Sequence, residues 1–258
     1  MDKTEKTAKT GKKAFLELFP VKKPVIGMMH GRGEDDRRIL DIAKQELELY
    51  QSGGIDGVLV ENYFCSPQQT EMVLDYVAKN HGDMIYGINL LDDDELNFKL
   101  ARDYACAFMQ IDSVCGHVPP EQDGKLAEFL RRGRESCGAL LIGGVRFKYQ
   151  PYLSGRSLEE DLRLGAERCD AIAVTGDYTG QETDFAKIQS FRDILGTFPL
   201  VVAAGVTAGN IERQLAICDA CITGSYFKRN HTAKEELDAG NIAGFMDAVR
   251  KIRERNDD

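Results

Sequence analysis

Two short segments late in the chain carry the residue types of an anion site, Gly205-Val206-Thr207 and Gly224-Ser225. Glycine has no Cβ, so backbone N–H groups at such turns can approach an anion closely, and Thr207 and Ser225 add hydroxyl donors. Each segment closes a short apolar run. Ala208-Gly209-Asn210 then reads as the opening of a helix, whose free amides and dipole favour a phosphate. Taken singly, each is also an ordinary strand-to-helix connection. Taken as a pair on successive strands, they read as a phosphate cradle.

The groups that could move protons lie earlier. Strand side chains alternate, so Val145, Phe147 and Tyr149 share one face of an extended segment and Arg146 and Lys148 the other. Giving the apolar set to a helix-covered face points Arg146 and Lys148 inward. Two cations there require an anion, either a bound substrate or carboxylates such as Glu61 and Asp112. Lys148 then reads as a cation beside developing charge or as a Schiff-base nucleophile. Glu61 closes an apolar run and suits a general base. Asp112, on a face shared with Gln110, is a second proton-transfer candidate. Asp177, in the loop from Thr175 to Gly180, is a third. His30, Asn62, Asn89, Arg146, Thr175, Thr179 and Gly180 are the candidate substrate contacts. His30 and Asn89 also read as hydrogen-bonded core residues. His30, Glu61 and Asp112 leave a divalent metal open, but no H-x-x-x-H or H-x-H spacing occurs and no metal ligand or other cofactor is assigned. Lys228-Arg229-Asn230-His231 reads either as an extension of the anion site or as a solvated basic loop. Cys218 and Cys221 form a lone C-x-x-C, read as buried structural thiols before redox or metal ligands.

These residues need a frame that brings them together. Eight short apolar runs appear, Val25–Met29, Gly57–Glu61, Ile85–Leu91, Phe108–Asp112, Leu140–Lys148, Ala171–Thr175, Leu200–Ala204 and Ala220–Thr223. Each is followed by an amphipathic or capped segment, as in repeated βα units. Ser66-Pro67-Gln68-Gln69 and Ser157-Leu158-Glu159-Glu160 are capping boxes, and Asp92-Asp93-Asp94-Glu95 places acids at a helix start. Gly53-Gly54 ends the helix that begins near Asp36. The pattern predicts a single (β/α)8 TIM barrel over 24–253, with an N-terminal arm and short helix over 1–23, the helix near Lys13–Leu18, and a charged tail over 254–258. An open doubly wound sheet is the alternative, but no G-x-G-x-x-G follows the first strand. In a barrel the chemistry lies where strands end, and phosphate sites follow strands 7 and 8.

The quoted residues also resemble a known family. Ile26-Gly27-Met28-Met29-His30, Gly53–Gly57 with Val60-Glu61-Asn62, and Gly87–Leu91 occur in that order, then Val145–Lys148 and Val174-Thr175-Gly176 with Thr179-Gly180 and Thr183-Asp184. Ala204–Thr207 and Thr223-Gly224-Ser225 with Phe227-Lys228 complete a resemblance to the BtpA/SgcQ family from Val25 to Ile252. The resemblance implies a barrel like those of the ribulose-phosphate-binding group, with a phosphosugar phosphate at the ends of strands 7 and 8. The family takes its name from a role in photosystem I biogenesis in phototrophs. Some relatives carry discordant labels, phosphoribosylanthranilate isomerase-like or nucleoside triphosphatase-like, so the family implies no single reaction. The chain departs from the pattern at Gly31-Arg32-Gly33-Glu34, where a proline-rich loop is expected. It departs again at Asp112, Gly144 and Tyr149, where Asn, Asp and His are expected. Two readings follow: an enzyme acting on a small phosphorylated sugar or related ester by isomerisation, aldol-type cleavage or hydrolysis, or a non-catalytic assembly or regulatory factor that binds a phosphometabolite.

Bulk properties narrow the partners. In 258 residues, 43% hydrophobic and 29% charged, a sizeable core forms and wholesale disorder is excluded. A net charge of −9 disfavours nucleic acid and anionic membranes, whereas a local nest of amides can still bind a small anionic substrate. No apolar run is long enough to span a membrane. Seven cysteines without regular spacing suit a reducing cytosol, hence a cytoplasmic protein. Homo-oligomerisation is left open.

Overall fold

Eight parallel strands close into a barrel in chain order: β1 (Val25–Met29), β2 (Gly57–Glu61), β3 (Tyr86–Asn89), β4 (Phe108–Cys115), β5 (Leu140–Val145), β6 (Ala171–Val174), β7 (Leu200–Val202) and β8 (Ala220–Thr223), with β8 pairing back onto β1. The helices alternate with them: α1 (Asp36–Gly53), α2 (Pro67–Asn80), α3 (Asp94–Asp103), α4 (Pro120–Ser136), α5 (Leu158–Arg168), α6 (Phe185–Leu195), α7 (Ile211–Leu215) and α8 (Ala239–Arg255). This is the (β/α)8 barrel expected from the strand spacing. It is a computed structural model that describes residues 15–255. Lysines 3, 6, 9, 12 and 13 of the arm and residues 256–258 of the tail lie outside the described residues, while Glu254 and Arg255 belong to α8.

The two-residue period of the strands sorts side chains into two cores. Val58 and Val60 join the layer between strands and helices, with Ile88, Met109 and Val202. Ile26, Met28, Leu59, Phe108, Ile142, Ala173, Val201 and Ile222 fill the barrel. Phe15 and Phe19, on the helical turn before β1, belong to that inner core and set their rings 6.5 and 6.4 Å from Phe108. The described part of the arm is therefore a plug in the N-terminal mouth of the barrel, which leaves the C-terminal rim as its open end.

Local signals act as read. Ser66 with Gln69 and Ser157 with Glu160 form complete capping boxes on α2 and α5. Gly54, at φ 77°, terminates α1 in the left-handed region that glycine enters without steric cost. The seven cysteines are free thiols and six are buried, Cys218 and Cys221 among them.

One element differs in a way that matters. β5 ends at Val145, and Arg146 takes a positive φ of 47°. The chain rotates there, so the alternation predicted over Leu140–Lys148 breaks. Phe147 enters the barrel core rather than the outer layer, and Tyr149 is exposed. Arg146 leaves the interior altogether: its guanidinium donates to buried Asp161 on α5 and to the Arg156 carbonyl. Its assignment as an inward substrate contact is corrected accordingly. The loop after β8 is a solvated basic loop only in part: Arg229, Asn230 and His231 are exposed, and His231 lines the cavity at the barrel mouth, but Lys228 turns inward. Lys228 is fully buried and its Nζ donates to Glu46 Oε1 of α1 at 3.1 Å.

Candidate active site

Inward positions at the ends of β1 to β4 bear His30, Glu61, Asn89 and Asp112, and all but the half-buried Asp112 are buried. Across the rim the corresponding positions are small, Thr175, Ala203 and Gly224. One arc of the barrel mouth is therefore polar and titratable, and the other leaves room.

The polar arc is tied together by one amide. Asn89 Nδ2 donates to Glu61 Oε1 at 2.9 Å and to Asp112 Oδ1 at 3.2 Å. Gln110, one inward step below Asp112, donates to the same Oδ1 at 2.8 Å. Burial first, and the Asp112 charge second, push the Glu61 carboxyl up to about 7, while Lys148 and the Asn89 bond oppose the rise. Burial also raises Asp112, against the Gln110 bond and the Lys148 charge. His30 is held well below its ordinary value by burial, then by the Lys228 and Lys148 charges, so it is neutral at pH 7. Its Nδ1 is buried without a partner among the described residues, and its Nε2 lies 3.9 Å from Glu61 Oε2. An uncharged imidazole with an unused nitrogen suits a hydrogen bond to a ligand.

A cavity of about 150 Å³ joins His30 and Glu61 of this arc to the late glycines, whereas Asn89 and Asp112 line a neighbouring hollow with Asp92, Asp94 and His117. Gly205, Val206, Thr207, Gly224 and Ser225 line it together with His30, Glu61, Lys148, Thr179 and Gly180. Val206 packs its side chain into the outer core, so it presents backbone to the cavity. The amides of Gly205, Val206 and Ser225 donate to no acceptor among the described residues. Gly205 has φ +60°, and a Cβ there would run into the backbone of Gln181 and Glu182. A Cβ on Gly224 would come within 2.7 Å of His30 Cε1. Gly205 is therefore required by conformation as well as by space, and Gly224, at φ −129°, by space alone.

Two details of the cradle differ from the sequence reading. α7 has only five residues, so its dipole adds little. The Thr207 amide is already used: it donates to Asn210 Oδ1 at 2.8 Å, and Asn210 Nδ2 donates to the Gly205 carbonyl at 2.9 Å. Thr207 is left with its hydroxyl for a ligand, and Asn210 is a clasp that holds the Gly205–Thr207 turn. Asn210→Ala should cost about 1–3 kcal/mol by stripping partners from two backbone groups. It should also weaken inorganic phosphate binding at least fivefold, measured by calorimetry. Unchanged phosphate affinity in a destabilised protein would remove the turn from the anion site.

The other candidates separate. Lys148 Nζ lies 3.3 Å from Thr179 Oγ1, which also takes the Tyr63 hydroxyl at 3.2 Å. Tyr63 sits in a loop, where strand alternation gives no signal for it. Thr175 is buried and its Oγ1 accepts the Lys148 amide at 2.9 Å, so it positions Lys148 rather than lining the cavity. Asn62 accepts the Leu91 amide at 2.7 Å and thereby pins two rim loops. Asp177 is exposed beside a separate hollow lined by Tyr149, Tyr152 and Tyr178, away from Glu61 and Asp112. The structure does not place it among the proton-transfer groups. No group of three or more His, Cys, Asp or Glu side chains among the described residues is arranged to hold a metal ion. The Asn89 amide stands between the two carboxylates that a shared ion would bridge. No helix among the described residues is long and apolar enough to cross a membrane.

Comparison with known proteins places this geometry in a wider group. The BtpA family model matches residues 21–251. The putative sgc region protein SgcQ of Escherichia coli is 26% identical over 267 residues, spanning 92% of this chain and 98% of that protein. The photosystem I biogenesis protein BtpA of Synechocystis is 23% identical over 260 residues, covering 91% of each chain. Among solved structures, phosphoribosyl anthranilate isomerase from Thermus thermophilus superposes with a TM-score of 0.59 at 14% identity, over 89% of this chain and all of that one.

Proposed function

This chain belongs to the BtpA family, and on that premise we infer that it is an enzyme acting on a small phosphorylated sugar, transferring a proton at a carbon next to the substrate carbonyl. The observation that carries the reading is the single cavity in which the Gly205–Thr207 and Gly224–Ser225 turns face Glu61, His30 and Lys148. The amides of Gly205, Val206 and Ser225 and the hydroxyls of Thr207 and Ser225 hold the phosphate. Anchoring that end fixes the reacting carbon and removes much of the entropy of bringing it to the base. Glu61, buried and raised to about 7, is the proton acceptor, since a base works best near the operating pH. The Lys148 ammonium and neutral His30 stand where an enediolate oxygen would develop charge, which preorganised donors stabilise most effectively in a desolvated site. Asn89 keeps the two carboxylates apart and hydrogen-bonded. Both isomerisation and retro-aldol cleavage pass through such an enediolate. A Schiff base at Lys148 is the aldolase variant of the same site. The fold neighbour from Thermus, a phosphoribosyl anthranilate isomerase, agrees with this class of chemistry but shares only the fold.

The Synechocystis relative, a photosystem I biogenesis protein, favours a second reading in which the same cavity binds a phosphometabolite without turning it over. Thermal shift against a panel of triose, tetrose, pentose and hexose phosphates, followed by product detection on the hits, separates the two. We expect at least one phosphosugar to raise Tm and to be isomerised or cleaved. Stabilisation without product would establish the binder. No stabilisation by any phosphosugar would end both readings. Borohydride reduction with a bound substrate adds mass at Lys148 only in the Schiff-base variant.

A further inference from the structure

Among the described residues the exposed large apolar side chains are Tyr149, Tyr152, Leu153, Tyr178 and Phe185. All five sit on the β5–α5 connection, on the β6–α6 connection or at the first residue of α6. Exposed apolar surface is usually scattered; gathered on adjacent loops of one face, it marks a place where something binds. Three of these residues, Tyr149, Tyr152 and Tyr178, line a hollow of about 240 Å³ together with Lys148, Gln150 and Asp177. Lys148 also lines the phosphate cavity, so the two spaces share a wall. Thr179, which lines the phosphate cavity, is tied to the hollow by its amide, which donates to the Tyr149 hydroxyl at 2.9 Å.

The tyrosines are held rather than loose. Tyr149, at φ 62°, is fixed by Thr179, and its ring lies 6.1 Å from that of Tyr178. The Tyr152 hydroxyl donates to the Arg146 carbonyl at 3.4 Å, and the Arg146 guanidinium lies over its ring. A side chain that keeps a left-handed backbone and a solvent-facing ring is held there against its own preferences. What the hollow presents is therefore flat apolar faces with the Asp177 carboxylate and Gln150 amide at their edges. Aromatic faces take the C–H face of a ring, whereas a carboxylate and an amide take hydroxyls and repel an anionic ring.

We propose that this tyrosine hollow is a second substrate subsite for a neutral hydroxylated ring, so that the substrate is a phosphosugar carrying a further sugar unit. The inference rests on the phosphate reading of the adjoining cavity. The phosphorylated unit occupies the glycine cradle, the linkage passes Lys148, and the second ring lies among Tyr149, Tyr152 and Tyr178. Asp177, which contributes nothing to proton transfer from its exposed position, becomes a hydroxyl acceptor of this subsite.

The test compares glucose 6-phosphate with maltose, cellobiose and lactose phosphorylated at O6 of their reducing glucose, which keeps the carbonyl on the phosphorylated unit, by calorimetry. At least one phosphorylated disaccharide should bind ten times more tightly than glucose 6-phosphate. Tyr178→Ala, at an exposed ring 63% accessible, should erase that advantage while leaving the glucose 6-phosphate affinity within twofold. Tyr178→Phe should keep it, since the proposal uses the ring face. Binding of glucose 6-phosphate with no gain for any disaccharide phosphate would overturn this inference alone. No binding by any of the four would overturn it together with the phosphate reading. A change in the mass of the native protein by light scattering in Tyr178→Ala, with all sugar affinities unchanged, would make the patch a protein interface and overturn it as well.

Discussion

Glu61→Gln should lower turnover of any substrate found for this protein by about 10²–10⁴-fold, the usual contribution of a positioned base. The same change should leave the folded protein as stable as before at pH 5 and more stable at pH 8. The sign follows from burial. Glu61 sits at about 7 in the folded chain against 4.5 when free, so the folded state holds the proton more tightly. Its contribution to stability is present below pH 4.5 and is lost as pH rises through 7. The difference amounts to about 3 kcal/mol at the upper end, at about 1.4 kcal/mol per pH unit. Glutamine keeps the acceptor for Asn89 without the buried charge, and so escapes the loss. Urea melts at the two pH values, set beside kcat/KM across pH 5–9, read both effects. The wild-type rate should climb with pH around 7, and the variant should lack that limb. A variant that is less stable than wild type at pH 8, or that retains wild-type turnover, would remove Glu61 from the role assigned to it.

The second large effect concerns an ion pair outside the cavity. Lys228 is completely buried and its only strong partner among the described residues is Glu46, itself buried; Arg32 Nε stands 3.9 Å from the same carboxylate oxygen. The pair ties the loop after β8 to α1. That loop carries the cradle, since the Lys228 amide donates to the Ser225 carbonyl at 3.1 Å. Lys228→Met strands the Glu46 carboxylate in the interior, and removing one member of a buried pair costs about 3–5 kcal/mol. In a chain of this size that is a fall in Tm of about 6–20 °C. The double change Lys228→Met with Glu46→Leu removes both charges and should recover most of the loss, because matched apolar replacement of a buried pair is often neutral. The cycle of two single variants and the double, followed by thermal melts, measures the coupling. A single variant within 1 kcal/mol of wild type would show that Arg32 or water takes over the carboxylate. Lys228→Met should also loosen the Ser225 turn and weaken phosphate binding, even though Lys228 does not line the cavity.

Much of this was legible in the chain. The bounds of β1, β2 and β8 coincide with their apolar runs, because a strand buried on both faces leaves a continuous apolar signature. Glu61 and Asn89 stood out as polar residues closing apolar runs and Asp112 as sharing a face with Gln110, and the family resemblance agreed with the membership now established. Where alternation failed, it failed for a local backbone reason. A left-handed Arg146 costs energy that no propensity scale anticipates, and it is repaid by Asp161, a residue fifteen positions later. The same turn delivers Lys148 to the cavity by a route the parity argument did not contain. Asp177, Asn62 and Thr175 looked equivalent to Thr179 as polar groups at strand ends, yet only Thr179 faces the cavity. Side-chain direction in a loop is set by contacts with other loops, which have no period to read.

The sequence by itself determined the barrel, its order of elements and the presence of glycines where two late turns need them, since those follow from burial pattern, capping and the conformational range of single residues. Only the tertiary structure decided which polar groups share a cavity. It also decided that one amide couples Glu61 to Asp112, that Asn210 occupies the Thr207 amide, and that Lys228 is a buried strut. The physical reason is distance along the chain. Propensity and periodicity act over a few residues, whereas the pairing of Lys228 with Glu46, 182 positions apart, exists only once the barrel has closed.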